Sequence, residues 1–317
     1  MAVLGIDLGG TKLAFCLLDN NGKILNRIKI ELKEKKGKEV GSLITEEVLN
    51  FHNVASSLGE KIDSIGISVP GIYHLSTGTV WAPNIPGWDD YPLLDEVKKV
   101  SKEIPVTIDS DRACYILGEF WKGNAQNCKN AIFLAVGTGI GAGILIGGNV
   151  LRGANDIAGA IEWMALDRPF KDEYISCGCF EHYASGEGIV KQARYFLQNE
   201  KKYSGELRNK SIEEMDCPDV FKAYENDDEI AIKIIKRCIE FWGMAAANLV
   251  SLFNPEMIIF GGGVFGPAVP LIPGIKNEAA RWAQPISIKK VSFESSALAA
   301  DAGVFGAGYL ALKKIDC

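Results

Sequence analysis

Histidine is scarce. His52, His74 and His182 are the only three, and no nucleophile-elbow serine accompanies them, which excludes a Ser–His–Asp hydrolase. Zinc-spaced cysteine pairs are missing as well. The chain has eight cysteines, but Cys177, Cys179 and His182 make one cluster without a second pair, and a structural zinc wants four ligands. A sustained basic run is also lacking. Lys33-Glu34-Lys35-Lys36-Gly37-Lys38 is broken by Glu34 and reads as a solvated turn. With 34 basic against 40 acidic residues the net charge is −6, which argues against nucleic acid as a partner.

No basic segment opens the chain, and Asp7 brings a charge at once, unlike a secretory leader. The uncharged stretch Ala131–Val150 approaches membrane-spanning length but holds glycine at 137, 139, 141, 143, 147 and 148. Each would cost a helix roughly 1 kcal/mol relative to alanine, so two strands joined at a glycine turn are predicted, with no membrane association. The cysteines then read as reduced thiols of a cytoplasmic protein. What remains is an ordinary globular composition, 47% hydrophobic and 23% charged over 317 residues. At about 150 residues per domain, that length suits two lobes.

The apolar pattern organises both. Val3 to Leu18 reads as a strand, the turn Gly9-Gly10-Thr11 and a second strand, and Asn20-Asn21-Gly22 marks another turn. Residues 39–58 have helical spacing, 62–69 form a buried strand ending at Pro70-Gly71, and 106–109 form a short strand before a helix over 111–121. The strand–glycine turn–strand pattern recurs over 131–146. Residues 227–253 form one long helix with Ile230, Ile234, Ile235, Cys238 and Phe241 on its apolar stripe. A strand over 257–260 runs into Gly261-Gly262-Gly263, and 297–312 closes the chain as a helix of small residues. Two copies of a glycine-turn hairpin, each opening an α/β half, suggest an internal duplication.

Several segments can carry chemistry. Asp7-Leu8-Gly9-Gly10-Thr11-Lys12 suits a phosphate cradle, in which glycines admit close backbone approach and successive amides point at anionic oxygens. It is not a Walker loop. Asp7 would sit near a Mg²⁺ held through nucleotide phosphates; a plain hairpin turn is the other reading. Gly137-Thr138-Gly139-Ile140-Gly141 makes a second cradle, and Gly261, Gly262 and Gly263 would let a flat adenine lie close to the backbone. Asp111, in Asp109-Ser110-Asp111, is either a general base for a substrate hydroxyl or a helix N-cap. Both roles coexist if Ser110 caps and Asp111 points away. Asn84, in the rigid loop Trp81–Trp88, offers the donor and acceptor that hydroxyl recognition needs, or closes an Asx-turn.

Taken in order, these motifs resemble those of the ROK sugar kinases (repressor, open reading frame and kinase), relatives of actin and hexokinase. Gly5–Lys12 and Gly137–Gly141 match the two phosphate motifs, Val69-Pro70-Gly71 and Ala82–Trp88 the sugar loops. Asp111, ahead of Leu117-Gly118-Glu119, falls on the catalytic aspartate, and Asn254-Pro255-Glu256 with the glycine triplet matches the adenosine region. The resemblance implies a two-lobed α/β fold of the actin-like, duplicated ribonuclease H kind, with an inter-lobe cleft. The lobes would span 1–120 with about 298–317, and 121–297. It further implies ATP- and Mg²⁺-dependent phosphorylation of a hexose hydroxyl, by default the 6-OH, with Asp111 as base, and a homodimer is the expected assembly. Two alternatives stand beside it: a catalytically weak sugar- and nucleotide-binding member, and a sugar-sensing regulator. The second would lack its DNA-binding domain, since the phosphate motif begins at Leu4.

The departures fall in the sugar region. Ser110 stands where the family carries Asn, and Gly159-Ala160-Ile161-Glu162-Trp163 replaces Gly-Glu-Ile-Gly-His. The zinc loop is shortened to Gly178-Cys179-Phe180-Glu181, so no structural zinc is expected and Glu181 is read as the surviving sugar contact, beside Gly71, Asn84 and Ser110. If 159–164 is extended, residues 160 and 162 share a side. Glu162 then takes over the missing glutamate's place, and Trp163 sets an apolar face where an imidazole would bind a hydroxyl. A preference for hexoses altered near C1–C3 follows, with glucose a poor substrate.

Overall fold

The odd and even residues of the first strand meet different neighbours, and that alternation fixes half the fold. In β1 (Ala2–Leu8) every residue but Asp7 is buried, the mark of a central strand covered on both faces. Leu4, Ile6 and Leu8 join a core with Val40, Ile44, Val48 and Phe51 of helix α1 (Lys38–Ser57). Val3 turns to the opposite face, into a cluster with Val304 and Ala311. By the same period, Gly5 and Asp7 face that side too.

The computed structural model describes residues 1–315. The chain divides into two compact units, residues 1–127 with 150–158 and 297 onward, and residues 128–149 with 159–296. The expected lobes, 1–120 with about 298–317 and 121–297, differ from this in two respects: residues 121–127 and Val150–Ala158 both belong to unit 1. Residues 316 and 317 lie outside the described residues.

Unit 1 builds its sheet from β1, β2 (Lys12–Asp19), β3 (Ile24–Glu31), β4 (Ile62–Val69) and, after the small hairpin of β5 (Ile72–His74) and β6 (Thr79–Trp81), β7 (Val106–Ser110). Their order is β3-β2-β1-β4-β7, antiparallel through the hairpins and parallel from β1 to β4 and β7. Helix α2 (Leu93–Ser101) precedes β7 and α3 (Asp111–Lys122) follows it.

Unit 2 repeats the plan with β8 (Ala131–Val136), β9 (Ile140–Ile146), β10 (Asn149–Val150), β11 (Met257–Gly261) and β12 (Ser292–Ser295), in the order β10-β9-β8-β11-β12. Here too a glycine-turn hairpin leads into parallel strands. Between them lie α4 (Cys179–Ala184), α5 (Gly186–Asn199), α6 (Cys217–Glu225), α7 (Glu229–Phe253), α8 (Ile272–Ala280) and α9 (Ser287–Lys290). The expected stripe of α7 is buried throughout, and Asp228 caps it by accepting from the amides of Ile230 and Ala231, both at 3.0 Å.

The closing helix, α10 (Ala302–Ile315), returns to unit 1. It starts five residues later than the apolar pattern predicted, because Ala299 adopts φ 47° and residues 299–301 form a 3₁₀ turn instead. Its small residues matter. A Cβ on Gly5 would collide with the Val304 carbonyl, and one on Gly66 with that of Ala307, so bare α-carbons let helix and sheet lie in direct backbone contact. Among the described residues, seven cysteines are unbridged, and no helix is long and apolar enough to cross a membrane.

Candidate active site

In unit 1 three strand ends gather polar groups. Asp7 closes β1 on the α10 face, and a Cβ on Gly303 would strike its carboxylate. The Ser68 hydroxyl at the end of β4 donates to Asp7 Oδ1 at 2.6 Å. Burial lifts the Asp7 carboxyl to about 6, offset in part by that hydrogen bond and raised further by the charge of Asp111. At the end of β7 Ser110 caps α3 by accepting from the Ala113 amide at 3.3 Å. Asp111 Oδ1 accepts from the Arg112 amide at 2.7 Å, while Oδ2 accepts from the Tyr115 hydroxyl at 3.5 Å. Desolvation pushes the Asp111 carboxyl up as well.

The loops bring further predicted residues into unit 1's group. A Cβ on Gly10 would lie 3.3 Å from that of Asn84, so the bare first turn admits the Asn84 side chain. Gly71, at φ 104°, has room for no Cβ because the Trp81 carbonyl occupies that place. Its role in the geometry is to close the β5–β6 loop. Thr11 and Lys12 are exposed on the hairpin. Asp109, a carboxylate of the Asp109-Ser110-Asp111 motif given no role of its own, is buried and ion-paired with Arg152, whose Nε lies 3.1 Å from Oδ2.

Unit 2 assembles the second cradle. The Gly137 amide donates to the Gly139 carbonyl at 2.9 Å, and the Gly186 amide at the start of α5 donates to the Gly137 carbonyl at 2.8 Å. Glu181 Oε2 accepts from the Ile140 amide at 2.8 Å, so its carboxylate braces the turn, and burial raises its pKa. Gly139 leaves room for this; a Cβ there would meet the Glu181 carboxylate. Gly262, at φ 88°, packs against the Val136 backbone, and Gly261 lies over the Phe133 ring. Gly137 and Gly263 have open space where a Cβ would stand. Both line a cavity of about 600 Å³, within the usual range for small-molecule sites, roughly 300–1,000 Å³. Its remaining wall, which includes Val190, Lys191, Arg194, Met215, Pro218 and Pro267, was not visible in any glycine motif.

The segment 159–164 corrects an expectation. It is not extended: Gly159 takes φ 93°, its carbonyl accepts from the Ala142 and Ile161 amides at 2.8 Å, and Ile161–Trp163 winds into a 3₁₀ turn. Residues 160 and 162 therefore do not share a side by strand alternation. Glu162 is half-buried, and Trp163 is 53% exposed. Nearby, Cys179 is buried, the Cys177 thiol donates to the Gly178 carbonyl, and His182 packs edge-on against Tyr174 and Tyr183.

Two α/β halves, each opening on a hairpin with a glycine turn, define the two-lobed actin-like ATPase architecture. The sequence pattern of the ROK family matches residues 3–314, and the chain belongs to that family. It is 32% identical over 315 residues to the glucokinase of Halalkalibacterium halodurans, covering 97% of this chain and 94% of that one. A ROK family glucokinase from Streptomyces griseus, solved in complex with glucose and AMPPNP, superposes with a TM-score of 0.79 at 26% identity, covering 99% of this chain and 100% of that one. A ROK family transcriptional regulator, a homolog of the E. coli MLC protein, superposes with a TM-score of 0.86 at 25% identity. That match covers 98% of this chain and 77% of the regulator.

Proposed function

We propose that this protein, a sugar kinase of the ROK family, transfers the terminal phosphoryl group of ATP to the 6-hydroxyl of a hexose or hexose derivative. The observation that carries this is the state of Asp111: a carboxylate at the first position of α3, with one oxygen fixed by the Arg112 amide at 2.7 Å and the other loosely engaged at 3.5 Å. That is the arrangement a general base needs, oriented and still able to accept a proton. Asn84, Gly71, Ser110 and Glu181 are assigned to the sugar; Glu162 is not, because the strand alternation that would have aimed it there is replaced by a 3₁₀ turn.

The glycine turn at 137–139 and the open α-carbons of Gly137 and Gly263 suit a nucleotide, whose bulk would occupy the space a side chain leaves. Gly9, Gly10, Thr11 and Lys12 are assigned to the phosphates. The Asp7 carboxylate, with Oδ2 not committed to Ser68, fits a magnesium ion, which keeps most of its waters and takes one or two carboxylates. Magnesium bound there supplies charge neutralisation for the phosphates; the chain's own part is to orient the hydroxyl, take its proton at Asp111 and present amides to the phosphate oxygens. A coupled assay of ADP release across glucose and its amino, deoxy and epimeric relatives tests the reading. Turnover with none of them, under conditions where ATP binds, would overturn it.

Three further outcomes are expected here. Gly262→Ala forces an L-residue to φ 88° against the Val136 backbone and should destabilise the fold by about 1–3 kcal/mol in chemical denaturation. Gly263→Ala should fold normally yet raise KM for ATP, because its methyl enters the open cavity. Elemental analysis after dialysis should find no stoichiometric zinc, since Cys177, Cys179 and His182 provide at most three clustered donors. About one zinc per chain would show that assignment to be wrong.

A further inference from the structure

Two opposite side-chain charges, Glu187 and Lys191, stand where the cavity of unit 2 meets the glycine turn, and the kinase reading uses neither. Helix α5 borders the cavity there through Gly186, Glu187 and Lys191. Its first amides are committed. That of Gly186 donates to the Gly137 carbonyl at 2.8 Å, that of Glu187 to the Thr138 carbonyl at 3.4 Å, and that of Gly188 to the Ser185 hydroxyl at 3.0 Å. Among the described residues, the amides of Thr138 and Gly139 donate to nothing and stay open to an anion. A helix joined to the turn in this way holds it in place, and it has only side-chain charge left to offer a phosphate.

The helix also places the two charges. Glu187 belongs to the first turn of α5, where a carboxylate complements the helix dipole. Lys191 lies one turn on and leans back, with Nζ 3.6 Å from Glu187 Oε2, so the ammonium is drawn towards the end of α5 that abuts the glycine turn. The Glu181 carboxyl that braces the turn feels both charges. Burial raises its pKa and the Ile140 amide lowers it; beyond these, Glu187 raises it and Lys191 lowers it. Arg194, also on the cavity wall, is tied through Nη2 to the Glu213 and Met215 carbonyls. Lys191 has no such tie to the backbone. Its partner is a carboxylate, and 51% of the lysine side chain and 62% of the glutamate's are exposed. An ion pair so open to water is worth little and is readily exchanged. A polyphosphate at the turn offers the lysine a more highly charged partner and repels the glutamate.

We propose that Lys191 is the phosphate-binding cation of the second cradle and that Glu187 is the counter-ion it leaves when the nucleotide binds. Before binding, Glu187 neutralises the lysine and holds it beside the turn. On binding, the ammonium turns to a phosphate oxygen while the Thr138 and Gly139 amides supply the neutral donors. The assignment rests on the reading of this cavity as the ATP site. It sets Glu187 as a brake on affinity and Lys191 as the group that overcomes it.

The test reads binding and uses the sign of each charge. Dissociation constants for ATP and ADP at fixed, saturating magnesium, and for adenosine as their competitor, are measured for the wild type, Lys191→Gln, Lys191→Arg and Glu187→Gln. Lys191→Gln should weaken ATP and ADP about three- to tenfold and leave adenosine unchanged, whereas Glu187→Gln should tighten ATP about two- to fivefold. Lys191→Arg should keep the wild-type affinity. Each difference should shrink as salt is raised, since the groups are exposed. An equal loss of adenosine in Lys191→Gln would trace the effect to packing of the lysine stem and overturn the assignment. Unchanged ATP affinity in that variant, the result for an ordinary surface pair, would overturn it too, as would weaker ATP binding in Glu187→Gln. Failure of the wild type to bind ATP at all would overturn the kinase reading together with this one, whereas intact ATP turnover with an affinity blind to both charges would remove this one alone.

Discussion

Asp111→Asn is expected to lower kcat by a factor of 10²–10⁴ while making the folded protein more stable at neutral pH. The loss is that of a general base. The substitution is isosteric, the Asn carbonyl still accepts from the Arg112 amide, and Ser110 rather than Asp111 caps α3, so the fold has no reason to fail. The gain in stability follows from desolvation. Burial places the Asp111 carboxyl above its ordinary value, and ionising it therefore costs more in the folded chain than in the open one. Below the unfolded pKa both states are protonated and wild type and variant should be equally stable. As pH rises through the folded pKa, the charged wild type loses stability that the neutral variant keeps. The wild type's kcat should fall in the same window as pH drops, because protonated Asp111 cannot accept the sugar's proton. Retention of more than a tenth of wild-type kcat, or a stability difference that does not vary with pH, would count against the role.

Much of this was legible from periodicity and glycine. The hairpins were read correctly because glycine at turn positions interrupts otherwise unbroken apolar runs, as at 9–10 and 137–141, and Asp7 and Asp111 stood out as charges ending such runs. The long stripe of α7 was equally plain. What escaped was whatever depends on backbone signs or on chain path. The positive φ of Gly159 turns 159–164 into a 3₁₀ coil, and no side-chain pattern announces a glycine's sign. Ala299 delays α10 for the same reason. The far wall of the cavity joins a stripe of α5 to a loop near residue 215, two segments with no shared motif. Gly303 was counted among the small residues of a helix, when its missing Cβ is what makes room for Asp7.

Arg152 is the other residue that chain path hides, and its removal should have the largest effect on stability. The segment 150–158 returns to unit 1 and carries the Arg152 guanidinium to Asp109, whose side chain is 10% exposed against 36% for the arginine. Desolvation raises the Asp109 carboxyl, and Arg152 is the main influence opposing it, with the Ser110 amide at 2.9 Å from Oδ1 assisting. Arg152→Met keeps the apolar stem and leaves a buried carboxylate without its cation. A fully buried pair broken in this way costs about 3–5 kcal/mol; since a third of Arg152 remains in water, about 2–3 kcal/mol is expected. The loss must depend on pH. With the cation gone, the folded pKa of Asp109 moves still further above the unfolded one. The penalty is then full at pH 8, shrinks as pH falls through the folded pKa, and vanishes below the unfolded pKa. Asp109→Asn in the same chain removes the charge that lacks a partner and should restore most of the stability. Because Asp109 lies one residue from Ser110 and two from Asp111, the single variant should also lose kcat, and the double variant should recover part of it. Urea unfolding of the wild type, both single variants and the double variant at pH 5 and pH 8 decides the matter. A loss equal at both pH values, or one that Asp109→Asn does not relieve, would mean that Arg152 contributes through packing of its stem and not through its charge.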